Sequence, residues 1–137
     1  MAARKTTMGR YAFFNTGFEY KFRFAVQPSE DIRSFGGRIC HENKNGHLMY
    51  HEWERRDKKY ILEELEPLRE SLCIEPIDFE QFEKTVEGTY ELSNRLYSLL
   101  EKNTVYYEDV ILRFRLGSLI YHQLLYTDKL SAHYELY

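Results

Sequence analysis

The sequence predicts an α+β fold, with a small antiparallel sheet of two hairpins in the N-terminal half packed against three helices in the C-terminal half. Three observations carry that expectation. Aromatic and charged residues alternate with period 2 in FEYKFRFA, the pair Asn45-Gly46 sits at the centre of CHENKNGHLMYHEW, and after Trp53 the apolar residues switch to helical spacing.

Residues 1–9 are small, basic and polar and read as a flexible basic arm, leaving residues 10–137 as one α+β domain. RYAFF at 10–14 is strand-like. Beyond it Phe18, Tyr20, Phe22 and Phe24 alternate with Glu19, Lys21 and Arg23, the pattern of a half-buried strand. Asn15-Thr16-Gly17 between the two runs suits a short hairpin loop with glycine at a left-handed position. Pro28 followed by Ser29, Glu30 and Asp31 predicts a turn into one helical turn, and Gly36-Gly37 predicts a tight reversal. Asn45-Gly46 then predicts a type I′ hairpin, because both residues tolerate positive φ. Pairing outward from it sets Glu42 opposite Met49, His41 opposite Tyr50 and Cys40 opposite His51.

Ile61, Leu65, Leu68 and Leu72 recur along one face of a first helix, with Asp57 as its cap. Pro67 within that run predicts a kink or a split. A second helix is expected from Asp78, with Gln81 completing a capping box and Phe79, Phe82, Val86, Leu96 and Leu100 as its buried stripe. The third is expected to start near Asn103-Thr104 and to carry Ile111, Phe114, Tyr121 and Leu125 inward; being apolar over most of its circumference, it should be the most buried.

At 137 residues the chain can bury a core without staples, and 30% charged with 43% hydrophobic residues is globular composition. Twelve Tyr and nine Phe are a surplus that suits shallow core edges or a recognition surface. Only two cysteines, Cys40 and Cys73, argue against a disulfide framework and for a reducing, intracellular compartment. The N-terminus has no apolar signal segment, and Arg113, Arg115, His122 and Gln123 interrupt the longest apolar tract, so neither a signal peptide nor membrane insertion is expected. The net charge of −3 conceals an asymmetry: residues 1–40 hold seven Lys/Arg against three Asp/Glu, whereas residues 52–91 hold six against thirteen. Such halves can complement each other within the fold, between copies, or with a partner.

The chemical motifs are incomplete. His41-Glu42 and His51-Glu52 both lack the second histidine of a helical zinc motif, since Asn45 and Arg55 stand where it is needed. A different zinc site remains open, in which Cys40 and His51 lie side by side with Glu42 two residues along; as a zinc-stabilised fold or a metal-dependent enzyme it is the third reading. Leu116-Gly117-Ser118 lacks the glycines of a nucleophile elbow and reads as a helix-packing site. Arg113 has Asp109 four residues before it as an ion-pair partner, while an anion site would enlist Arg113 and Arg115 together.

The leading expectation is a non-enzymatic protein interaction or assembly module, with a protein partner or self-association and with Tyr106, Tyr107, Tyr134 and Tyr137 as contact residues. The second is nucleic-acid binding through the basic arm and first hairpin, using Arg4, Lys5, Arg10, Lys21 and Arg23. Against it, the alternation puts Lys21 and Arg23 on the face opposite Phe22 and Phe24, so that rings and charges would not share a surface. Without a complete catalytic constellation, a non-enzymatic role is expected ahead of the metal-dependent enzyme of the third reading, and no cofactor beyond its zinc.

Overall fold

The computed structural model describes residues 10–22, 32–42, 48–101 and 108–135. The fold is α+β, as the sequence predicts, but its sheet has five antiparallel strands. These are β1 (Arg10–Phe14), β2 (Glu19–Phe22), β3 (Arg38–Glu42), β4 (Leu48–Glu54) and β5 (Lys129–Glu135), in the spatial order β2-β1-β5-β4-β3. The helices are α1 (Lys58–Leu72), α2 (Val86–Glu101) and α3 (Glu108–Gln123).

The first hairpin forms as expected, with Tyr11 opposite Lys21 and Phe13 opposite Glu19. Gly17 takes φ +101° in the loop, where the Phe14 amide donates to the Phe18 carbonyl at 2.9 Å. In the second hairpin His41 pairs with Tyr50 and Glu42 with Met49, as predicted. One position further the expected register fails: Ile39, not Cys40, stands opposite His51, because the ladder shifts between Ile39 and His41 and leaves Cys40 as the extra residue of a bulge. The Asn45-Gly46 turn, the Pro28 turn and Asn103-Thr104 lie outside the described residues.

β5 joins the two hairpins. Leu130, Ala132 and Tyr134 alternate with Ser131 and His133, and the strand pairs with β1 on one side and β4 on the other. Asn15 extends that junction past the end of β1: its amide nitrogen donates to Lys129 O and its carbonyl oxygen accepts from Ser131 N, both at 3.0 Å. Residues 129–135, to which the sequence reading assigns no element, are therefore the middle of the sheet. Their signal is short, with only three inward positions, one of them alanine.

α1 runs unbroken through Pro67, so the run is one helix, not two. Asp57 does not cap it directly. Its carboxylate accepts from Glu54 N at 2.7 Å, within a reciprocal capping box on the 3₁₀ turn Arg55–Asp57 that leads into α1. The second helix begins later than Asp78 suggests. Asp78 caps a 3₁₀ turn, Phe79–Gln81, through Glu80 N, and α2 starts only where Thr85 Oγ1 accepts from Gly88 N at 3.1 Å. Gly88 is required there, because a Cβ would sit 1.8 Å from the Glu83 carbonyl oxygen. In α3 the Leu116-Gly117-Ser118 stretch is buried, and a Cβ on Gly117 would meet the Phe35 ring at 2.4 Å and Leu65 at 2.8 Å. The Phe35 ring and the Leu65 side chain of α1 therefore pack directly on the α3 backbone at Gly117.

Phe14, Phe18, Tyr20, Met49, Trp53, Leu130 and Tyr134 from the sheet meet Ile61, Leu65, Leu92, Leu96, Phe114 and Ile120 from the helices in one buried cluster. Trp53 is fully buried and its indole donates to Phe35 O at 3.2 Å, so the largest ring of the core also ties the Gly36-Gly37 reversal to β4. Both glycines have positive φ, +81° and +73°. A Cβ on Gly37 would strike Glu52 O at 2.5 Å. No helix among the described residues is long and apolar enough to cross a membrane.

Candidate functional site

Residues opposite each other in antiparallel strands share a face. Along β1 the inward members are Ala12 and Phe14, both buried, so the outward members are Tyr11 and Phe13. On β2 Glu19 and Lys21 point outward, on β5 Ser131 and His133, and on β4 Tyr50 and Glu52. The register aligns Glu19, Phe13, His133 and Tyr50 in one row running straight across four strands. The rings in that row touch. Phe13 lies 5.4 Å from His133, His133 lies 5.4 Å from Tyr50, and Tyr11 stacks beside Phe13 at 5.8 Å. The three helices contribute to the core on the other face. Tyr11, Phe13 and Tyr50 accordingly remain 36%, 39% and 36% exposed, which is unusual for rings in the middle of a sheet.

Among the described side chains this face carries both signs of charge, Lys21, Arg38 and Lys129 with Glu19, Glu52 and Glu54, and Arg38 is held by Glu52 and Glu54, each at 3.2 Å. Arg56 adds a 3.0 Å contact to Glu54. Lys21 shares the face with Tyr11 and Phe13, so rings and a cation do lie together, contrary to the expectation from β2 alone. The signal was present: RYAFF is itself an alternating strand, and the loop fixes which of its rings oppose Lys21 and Glu19.

Of the residues expected at a metal site, His51 is 2% exposed and its Nε2–H donates to the Gly36 carbonyl at 2.7 Å, leaving Nδ1 buried without a partner. Burial holds its pKa below the ordinary histidine value, with the Arg33 and Arg38 charges adding to the effect and the Gly36 bond partly opposing it. Cys40 occupies the bulge and Glu42 pairs with Met49 along the backbone. Among the described residues no three His, Cys, Asp or Glu side chains gather where they would hold a metal ion.

Of the expected contact tyrosines, Tyr134 points into the core at 1% exposure, a correction that follows from its inward place on a central strand. Tyr106, Tyr107 and Tyr137 lie outside the described residues, as do Arg4, Lys5 and Arg23; Arg10 opens β1 opposite Phe22, and Lys21 is exposed.

Two further places carry polar groups. Beside α1, a cleft of about 320 Å³ is lined by Leu62, Leu65, Arg69, Ile77, Phe79 and Tyr121. Arg69 is spent there on structure, paired with Glu66 and donating to Ile74 O at 2.6 Å. At the C-terminal end of α3, Thr89 Oγ1 links His122 Nδ1 at 2.8 Å to the Tyr126 hydroxyl at 2.6 Å. Burial lowers the pKa of His122 and raises that of Tyr126, so both stay neutral near pH 7, as a buried hydrogen-bond network requires. No family model, no curated protein and no solved structure matches this chain.

Proposed function

We propose that this chain is a non-enzymatic assembly module whose partner is a second copy of itself, docked sheet against sheet through the face opposite the helices. The observation that carries the reading is the row Phe13, His133 and Tyr50, flanked by Tyr11, in ring-to-ring contact on a face turned away from the helices. Aromatic rings of this kind give large contact area for little lost side-chain entropy. Cations and carboxylates interspersed among the described side chains let an identical face approach without a single-sign field opposing it, whereas a one-sided field would favour an oppositely charged partner.

Area sets the strength. Five strands about 4.8 Å apart and some five residues long present about 400 Å² of projected face. Two such faces fall at the low end of specific interfaces, so the dimer should dissociate in the micromolar range. Sedimentation equilibrium from about 1 μM to 1 mM, a span bracketing that range, should show a monomer–dimer transition that Phe13→Ser with Tyr50→Ser abolishes. A monomer throughout overturns self-association.

One observation favours nucleic-acid binding as a second reading: Lys21 and Tyr11 are directly opposite on the open face, the pairing of charge and ring that single strands use. Against it, Arg38 is occupied by two carboxylates and Glu19 sits beside Phe13. Fluorescence anisotropy of a labelled oligonucleotide at low salt decides, since phosphate contacts are strongest there.

A further inference from the structure

Arg113 and Arg115 lie two residues apart on α3 and so point in different directions: Arg113 is exposed and Arg115 is 7% exposed. Arg115 enters the junction of β2, α2 and α3 on the helical side of the sheet, away from the open face. Its guanidinium carbon lies over the ring of Tyr97 of α2, 3.7 Å from the centroid, with the Tyr20 ring of β2 at 6.0 Å. Nε is buried and has no hydrogen-bond partner. Among the described residues no carboxylate lies within ion-pairing reach and no acceptor bonds the guanidinium.

A guanidinium carries five N–H donors and a charge that cannot be shed. Burying it without a counter-charge is among the costliest arrangements in a protein, and side chains of this kind are almost always paired. The Tyr97 ring satisfies the face of the group through its quadrupole. It leaves Nε buried and unmet. Tyr97 is itself 52% exposed, so the charge sits just beneath a surface ring and not in the centre of the core.

We propose that Arg115 is an anion-binding residue: its in-plane N–H donors receive an oxyanion, a phosphate or carboxylate group of a ligand, at the β2/α2/α3 junction, with Tyr97 stacked on the guanidinium. The planar fork matches both oxyanions, and a dianionic phosphate gains more from the unopposed charge. Arg115 alone provides the charge, since Arg113 is directed elsewhere.

The test uses the whole chain. Thermal unfolding is followed against inorganic phosphate, and separately acetate, at constant ionic strength, for the natural protein and for Arg115→Met and Arg115→Lys. The natural protein should gain melting temperature with a saturating phosphate dependence, as linkage requires of a ligand that binds only the folded state. Arg115→Met should lose the saturating part and keep the shallow, unsaturating rise that phosphate gives any protein. Arg115→Lys should bind about tenfold more weakly or worse, because an ammonium lacks the fork. Without added anion, Arg115→Met should melt no lower than the natural protein, since it removes an unpaired buried charge while keeping the packing. Saturation by phosphate but not acetate assigns a phosphate ligand, and the reverse a carboxylate. Titration calorimetry of the natural protein with phosphate and acetate keeps the question open to refutation if Arg115→Met does not fold: heat from neither overturns the proposal, as does an identical phosphate dependence in natural and Arg115→Met chains.

Discussion

Along β1 the side chains run Tyr11, Ala12, Phe13, Phe14, and alternate members meet opposite surroundings: Phe14 packs 6.3 Å from Trp53 inside the core, while Phe13 stacks on His133 in the open. The same division continues across β5 and β4, with Tyr134 and Trp53 inward and His133 and Tyr50 outward. Both faces of the sheet are thus aromatic, and chemistry of the ring does not distinguish them. Register does, and so does what lies above each face. An inner ring is packed against helices, whereas the outer rings Phe13, His133 and Tyr50 stack on one another.

That contrast can be broken hardest from the inside. Trp53→Ala removes a fully buried ring and its bond to Phe35 O and should destabilise by about 3–5 kcal/mol, read as a fall in the denaturation midpoint. Acid should act next, and again from within. His51 and His122 are buried with pKa values held below the ordinary value of about 6.5. The unfolded chain therefore binds more protons than the folded one as pH falls below that value, so stability should be full above about pH 6.5 and decline progressively beneath it. Urea unfolding at a series of pH values checks the sign; a rise in stability on acidification would contradict the burial of both rings. Tyr134 offers a smaller effect of opposite sign. Its hydroxyl is buried without a partner, so Tyr134→Phe should stabilise the fold by about 1 kcal/mol in the same assay. Smallest of all should be Phe13→Ser: on the outer face the change in folding stability should stay within about 0.5 kcal/mol while association is weakened. Comparable losses from Phe13→Ser and Trp53→Ala would erase the distinction between the faces.

Local pattern made the first hairpin and α1 legible, because Gly17, the Phe18-Tyr20-Phe22 alternation and the Ile61-Leu65-Leu72 spacing each specify structure over a few residues. β5 was not legible in that way. Leu130, Ala132 and Tyr134 do alternate, but their partners lie more than a hundred residues earlier on β1, and no local signal states that a strand will be inserted between two hairpins. The same nonlocality hid the candidate site. Tyr11 and Phe13 could be assigned outward from the loop register, yet their continuation into His133 and Tyr50 depends on β5 being central. At Cys40 a single bulged residue was enough to move the pairing with His51, which turn chemistry at Asn45-Gly46 could not reveal. Arg115 was visible as a charge in an apolar helix, but not the lack of a carboxylate beside it.

The central position of β5 also bears on how the molecule is made. Until residues 129–135 have been synthesised, β1 and β4 each present an unpaired edge, and the two hairpins have no strand to unite them. The pairing of Ala12 with Tyr134 closes a very long loop, the kind of contact that slows folding most. A chain whose residues 129–135 have not yet docked therefore carries two open strand edges and an unfilled core, the state in which wrong strand pairing comes most easily.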